Sequence, residues 1–354
     1  MKKFLISISM MAFLALVSCG GEAAKKGNAE NNSKNADAGE VNVYTHRHYD
    51  TDQKLFAQFE EETGIKVKVV NAGADELIQR MKLEGEDSPA DVLITVDAGR
   101  LHRAKEMGLL QAVESENLNS HIPANLRDSE NYWFGLTSRA RIIAYNPNRV
   151  KAEDIANYED LADEKFRGKL LVRSSSNIYN QSLAASVLAH EGAESLESWI
   201  EGMVLNFARN PKGSDRDQVK AVASGDGDLA IVNSYYLGKM LHSSNEQEVK
   251  AGNAVKIMFP NQSNRGTHIN VSGAGVAKGS PNPENAVKFI EFLVSKEAQE
   301  EFAGVNYEYP VREDVEISQT LKNFGEFKAD TINLSALGEN NNRAVKIMDK
   351  AGWK

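Results

Sequence analysis

After residue 41 the chain alternates short β-branched runs with amphipathic stretches, and this alternation constrains its fold more than any other feature. Val41-Asn42-Val43-Tyr44 has the composition of a strand. Residues 52–63 put Leu55, Phe56 and Phe59 on one helical face, with Gly64 as the stop. The pattern repeats with a strand over 65–70, a helix over 74–85, a strand over 90–95 and a helix over 101–107. Strand–helix–strand order at these lengths predicts an α/β layer with a mostly parallel sheet. A second such block follows, with strands expected at 141–145, 170–173, 228–232 and 255–259 and helices at 181–190 and 195–207. Residues 268–277 read as an extended crossing segment. Residues 283–302 read as one long helix, opened by Pro283 and carrying Ala286, Phe289, Ile290 and Leu293 at helical spacing. Two α/β blocks, with a late strand able to return to the first, imply two lobes joined by crossing strands. Ligands of such proteins sit between the lobes, at loops that follow strand C-termini.

With 354 residues, 41% of them hydrophobic and 26% charged, the chain has globular composition and length for two domains. Its 41 Lys and Arg against 50 Asp and Glu give a net charge of -9, which excludes the positive field that nucleic-acid partners require. A single cysteine excludes an intrachain disulfide and a thiolate metal cluster. That cysteine follows a basic start, Met1-Lys2-Lys3, and an apolar run over 4–17 that is shorter than the ~20 residues of a spanning helix. Leu16-Val17-Ser18-Cys19 resembles the lipobox of bacterial lipoproteins. The resemblance implies a signal peptide over 1–18 and a lipidated Cys19 anchoring the chain to a membrane. Residues 19–40, rich in Ala, Gly, Asn, Lys and Glu, are then a flexible tether.

Three loops after expected strands carry tyrosine: 45–50 with Tyr49, 174–180 with Tyr179, and 233–238 with Tyr235 and Tyr236. A phenol with its ordinary pKa near 10 is neutral at pH 7, but a bound trivalent cation turns it into a hard anionic oxygen donor. Ferric iron with several phenolates and one imidazole, here His48, is a coherent set; zinc more often recruits Cys or several His. Against this, a tyrosine at a strand end most often only packs and makes one hydrogen bond. His48 alone is more often a surface or core histidine than a ligand. The adjacent pair Tyr235-Tyr236 is harder to assign to a core, since neighbours on a strand face opposite sides. The pattern alone leaves both readings open.

Val43-Tyr44-Thr45-His46-Arg47-His48-Tyr49, with Asp52 and the following helix, resembles the opening of the periplasmic ferric-iron-binding proteins of ABC transporters. The nearest likeness is to their iron-deficiency-induced, FutA-like branch. Ser175, Asn177-Ile178-Tyr179-Asn180 and Asn233-Ser234-Tyr235-Tyr236-Leu237-Gly238 match two further ligand segments in the same order, and Gly273-Ala274-Gly275-Val276-Ala277 with residues 281–292 matches a later segment of the family. The likeness runs from about Val41 to the C-terminus. It implies an α/β, two-lobed periplasmic binding protein fold of the class II type, with the lobes joined by crossing hinge strands and closing over the metal. The corresponding lobes would be 41–137 plus 268–315 and 138–267 plus 316–354. Tyr49, Tyr179, Tyr235 and Tyr236 would supply phenolates to Fe(III) and His48 an imidazole nitrogen, with His48 and Tyr49 from the first lobe and the other three from the second. Four phenolates on one trivalent ion leave a negative charge in a partly buried cleft, so Arg47, Arg139 and Arg141 are expected to balance it, with surface ion pairs the alternative for each. No Asp or Glu stands out in the matched segments, so no synergistic anion is expected.

The resemblance implies a monomeric, lipid-anchored extracytoplasmic receptor that hands iron to an ABC permease in the inner membrane. The main rival is the same fold around a polyamine, thiamine or a carboxylate, but such pockets use acidic or stacked aromatic side chains, and Trp133, Trp199 and Trp353 lie outside the matched segments. No Gly-x-Ser-x-Gly elbow, Walker-type loop or His-Glu-x-x-His occurs, and Ser174-Ser175-Ser176 has no paired base, so no enzymatic activity is expected.

Overall fold

A computed structural model describes residues 38–354; the expected signal segment, Cys19 and the tether as far as residue 37 lie outside the described residues. The fold begins with β1 (Glu40–Thr45), where Val41 and Val43 are fully buried. β2 (Lys66–Asn71) and β3 (Val92–Val96) flank it in parallel, as the strand–helix alternation predicts. The crossovers are α1 (Asp50–Thr63) and α2 (Ala74–Glu84), followed after β3 by α3 (Ala98–Glu106) and the short α4 (Glu116–His121). Leu55, Phe56 and Phe59 of α1 are buried together, the face expected from their spacing.

The central element is β4 (Phe134–Tyr145), all of whose residues are buried. Its first half pairs antiparallel with β8 (Ile269–Val276), which itself lies beside β3. At Arg141 the partner changes: Arg141 to Tyr145 run antiparallel to β6 (Leu229–Asn233), with β7 (Lys256–Met258) on the opposite edge. β5 (Leu170–Leu171) adds in parallel to β6, and β9 (Tyr309–Pro310) pairs with Thr137 and Ser138. The strand order is therefore β2-β1-β3-β8-β4-β6-β5, with β7 and β9 also on β4. The segment expected to cross between the lobes, 268–277, is a strand of this junction, paired with β4.

The second half of the sheet is covered on both faces. Ile142 and Ala144 with Ala230 and Val232 join one core, while Ile143 and Tyr145 with Leu229 and Ile231 join another. Such double coverage turns the alternation of a strand into a continuous apolar run, which is how 228–232 reads in the sequence. The second core is closed by α5 (Ile178–Asn206), broken at Gly192 between the two helices expected there. The first is covered by α6 (Asp215–Ser224), α7 (Ser234–Leu241) and α8 (Glu246–Asn253). The long helix expected over 283–302 is instead two, α9 (Pro283–Leu293) and α10 (Lys296–Val305). Ser295 is extended and its hydroxyl accepts from the Ala298 amide, so a cap restarts the helix while the apolar spacing runs on unbroken. The chain ends with α11 (Gln319–Phe324) and α12 (Ser335–Lys350), and α12 packs against both α5 and α3. No described helix is long and apolar enough to cross a membrane.

His268, just before β8, is buried, and burial together with Arg141, Arg139 and Arg265 pushes its pKa down from 6.5 to about 3. The unfolded chain takes up this proton as pH falls below 6.5 and the native chain does not. Native stability is therefore expected to fall by ~1.4 kcal/mol per pH unit on this account as pH drops from 6.5 toward 3. Urea unfolding across that range should show a shallower fall in His268→Gln than in the unaltered chain.

Candidate metal centre

The three tyrosine segments occupy one kind of place: a strand ends, the backbone turns, and a helix starts. β1 ends at Thr45 and Tyr49 is the N-cap residue of α1, with extended backbone (φ -82°, ψ 146°). Asn177 caps α5 by accepting from the Tyr179 amide at 3.2 Å, which sets Tyr179 in the first helical turn. β6 runs directly into α7, whose first turn carries Tyr235 and Tyr236. Tyr179, Tyr235 and Tyr236 are thus on helix starts, where the sequence reading has loops and a strand. This changes the argument for the adjacent pair. Neighbours on a helix are ~100° apart rather than opposed, so both can face one cleft. Their rings stack, with centroids 4.2 Å apart and 29° between planes. Helix N-termini also carry partial positive charge and unpaired amides, which favour an anionic oxygen nearby.

The tyrosines converge from both halves of the sheet. The Tyr179 and Tyr235 hydroxyls are 3.5 Å apart, and Tyr49 lies near enough to Tyr235 for each phenol to influence the other's ionisation. Tyr235 is 4% exposed and Tyr179 9%, while Tyr49 and Tyr236 are half-buried. Burial, the Glu308 carboxylate and the neighbouring phenol push Tyr49 up to about 12, with Arg47 pulling against them. Burial and the surrounding phenols raise Tyr235 well above its ordinary value; burial, Tyr179 and Asp215 raise Tyr236. Without a cation the cleft therefore keeps these three phenols neutral. His48 is exposed, its ring centroid 5.6 Å from that of Tyr49 and its Nδ1 3.4 Å from its own loop's His46 carbonyl. It stands at the rim rather than among the phenol oxygens.

The three expected arginines have distinct surroundings. Arg47 is buried and bound to two carboxylates: its Nη2 lies 2.9 Å from Asp52 and 3.3 Å from Glu308. Arg141 is also committed, with Nη1 3.0 Å from Asp215 and Nη2 donating to Asn180 Oδ1 at 2.7 Å. Neither is a surface pair. Arg139 alone faces the cleft without a carboxylate among the described residues. Its guanidinium lies 5.5 Å from the Tyr179 ring centroid, Nη1 reaches Ser272 at 3.4 Å, and Nε and Nη2 have no partner. Arg173 adds a further guanidinium 5.7 Å from the same ring.

Two functional groups escape the sequence reading. Glu308, buried beneath Arg47, is held below the usual carboxylate range because Arg47, Arg139 and Lys239 outweigh the effect of burial. It sits on an irregular segment before β9 that no strand or helix pattern marks. Gly238 lets that segment reach α7, since a Cβ there would lie 2.6 Å from the Cβ of Tyr307. Lys239 holds its ammonium 3.4 Å from the Tyr49 ring centroid and 5.8 Å from that of Tyr235. Burial lowers its pKa to about 8. Its signal was available: it stands four residues after Tyr235 on α7, the spacing of one helical turn. Among the described residues no three of His, Cys, Asp and Glu gather as a metal site, so phenol oxygens are what this cleft offers a cation.

A sheet whose central strand is shared by two halves, with donors from each half meeting in one cleft, defines a two-lobed solute-binding protein. The chain belongs to the bacterial extracellular solute-binding protein family, whose model matches residues 54–329. It is 52% identical over 315 residues to iron uptake protein A1 of Synechocystis sp., covering 89% of this chain and 88% of that protein. The solved structure of Trichodesmium IdiA (FutA) in complex with iron and citrate ligands matches with a TM-score of 0.87 at 52% identity, covering 89% of this chain and 100% of that one. The ferric binding protein from Campylobacter jejuni matches at 0.85 and 47%, again over 89% of this chain and 100% of the other.

Arg47→Met would strand two buried carboxylates, a loss of roughly 3–5 kcal/mol in native stability. Chemical unfolding at neutral pH measures it. Arg139→Gln, which leaves no carboxylate unpaired, should unfold close to the unaltered chain.

Proposed function

We propose that this chain is an extracytoplasmic binding protein that captures Fe(III) between its lobes and delivers it to an ABC permease. It performs no covalent reaction. The observation that carries the reading is the convergence of Tyr49, Tyr179 and Tyr235, with Tyr236 stacked on Tyr235, from three helix starts in the two halves of the sheet. The iron-binding names of its relatives support the same cargo. Clustered phenols, three of them raised by burial, are poor ligands for a weakly polarising cation, whereas a trivalent ion offsets the cost of their ionisation. Metal binding must then release protons, so affinity falls as pH falls. In this reading Arg139 and Lys239 offset the anionic excess of the loaded site, while Arg47 and Arg141 are already neutralised and act by holding Asp52, Glu308, Asn180 and Asp215 in place. His48 is a rim residue that becomes a ligand only if loading draws it inward.

The lobes are taken as 41–137 plus 268–315 and 138–267 plus 316–354, with α12 bridging them from behind. A lipid anchor on Cys19, a signal peptide ahead of it and a monomeric receptor complete the proposal. The tether then lets the binding domain reach a permease while remaining at the membrane. The organic-ligand alternative has less support, because the acidic groups facing this cleft are already paired with Arg47 and Arg141.

The test uses the soluble chain from about Val41, stripped with a chelator and titrated with ferric citrate. A phenolate-to-iron charge-transfer band should saturate at one equivalent and vanish in a Tyr235→Phe/Tyr236→Phe variant. Iron at 100 times its Kd should also raise native stability by ~2.7 kcal/mol. No band and no stabilisation would contradict the reading and bring amines and carboxylates forward. A unit charge some 5–6 Å from the site at an effective dielectric near 20 is worth about 3 kcal/mol, so Arg139→Gln should weaken iron binding roughly 100-fold in citrate competition. His48→Ala should change it far less.

A further inference from the structure

Asp97 is the one fully buried carboxylate near the cleft that neither the tyrosines nor the arginine pairs account for. It follows β3 and caps α3, but its backbone lies at φ 90°, a region that residues other than glycine rarely occupy. Donors from three segments converge on its carboxylate. Its Oδ1 accepts from the Gly99 amide at 2.9 Å, and a Cβ at Gly99 would crowd that oxygen at 3.0 Å. Its Oδ2 accepts from Asn270 Nδ2 at 2.8 Å, on the crossing strand β8. The Asn270 carbonyl oxygen in turn accepts from the Ala98 amide at 2.9 Å, and the Asp97 amide donates to the Val271 carbonyl at 2.8 Å, so the strained turn is held from both sides. The remaining donor comes from the other half of the sheet: the Ser182 hydroxyl on α5 lies 2.8 Å from each carboxylate oxygen.

Ser182 stands three residues after Tyr179, one turn along the same helix. Tyr179 thus reaches the cleft from a helix start whose next turn is fastened to the lobe that carries Tyr49. Strained backbone persists where the surroundings over-determine it, and such places concentrate where geometry serves function. We infer that Asp97 and Ser182 form an interlobe clasp that positions the first turns of α5, and with them Tyr179, against the donors of the opposite lobe in the closed state. The clasp touches no metal ligand directly; it is a positioning device, and it rests on the iron-binding reading above.

Three forms of the soluble chain separate the possibilities: the unaltered protein, Ser182→Ala and Ser186→Ala. Ser186 is a control on the same helix one turn further on, equally buried, with its hydroxyl 3.3 Å from Asp330 rather than Asp97. Each is loaded with ferric citrate, and iron release to an excess of chelator is followed at the charge-transfer band. Small-angle scattering of the metal-free forms gives the radius of gyration. Loss of a hydrogen bond to a charged group is expected to speed release from Ser182→Ala roughly tenfold, with the band maximum unchanged. Its metal-free form should have the larger radius of gyration, and Ser186→Ala should match the unaltered chain in both. Release and radius unchanged in Ser182→Ala, or moved equally in Ser186→Ala, would overturn the clasp. Should the unaltered chain give no band, the iron reading falls, and the radii of the metal-free forms decide the clasp alone.

Discussion

The cost of taking phenolate oxygens out of water governs this structure. Burial and mutual repulsion push Tyr49, Tyr235 and Tyr236 away from ionisation, so these three stay neutral hydroxyls in the absence of a cation. Only a partner of high positive charge reverses that balance. The fold meets it part of the way. The tyrosines lie on helix starts whose amides and dipoles favour negative charge, and a guanidinium and an ammonium face them without carboxylates of their own in contact. Arg47 and Arg141 cannot play this part, because each is already bound to buried acids. Their removal would damage the framework before it altered the site's charge.

β4 connects this chemistry to the architecture. Its first half belongs to the β3–β8 side and its second to the β6 side, so one strand carries Arg139 toward the cleft and Arg141 into the framework two residues later. The two residues share a strand face, but their neighbours differ because the pairing partner changes between them. The cores are divided by sheet face in the second half, and the core on one face there runs on into the first half.

Much of this is legible in the sequence, for physical reasons that can be named. The strands over 41–44, 90–95 and 228–232 stand out because buried parallel strands are dense in β-branched residues, and the observed elements differ from them by only a few residues. The tyrosines are found because they follow expected strands, those at 41–44, 170–173 and 228–232. Their setting is not: a helix that starts without apolar periodicity in its first turn reads as a loop, which hides Tyr179 and the Tyr235-Tyr236 pair inside α5 and α7. The break at Ser295 is masked for the opposite reason, since apolar spacing continues across it. Glu308 has no local signature at all. It matters through a contact with Arg47 that spans 261 positions, and only the folded chain reveals that.

The central claim is that four phenols, and not carboxylates or imidazoles, hold the cargo. A crystal structure of the iron-loaded chain, with anomalous differences collected on both sides of the iron absorption edge, tests it most directly. The account predicts one iron peak between the lobes, within bonding distance of the Tyr49, Tyr179, Tyr235 and Tyr236 hydroxyl oxygens. A peak held by acidic side chains elsewhere, or a loaded cleft with those four oxygens pointing away from the metal, would contradict it.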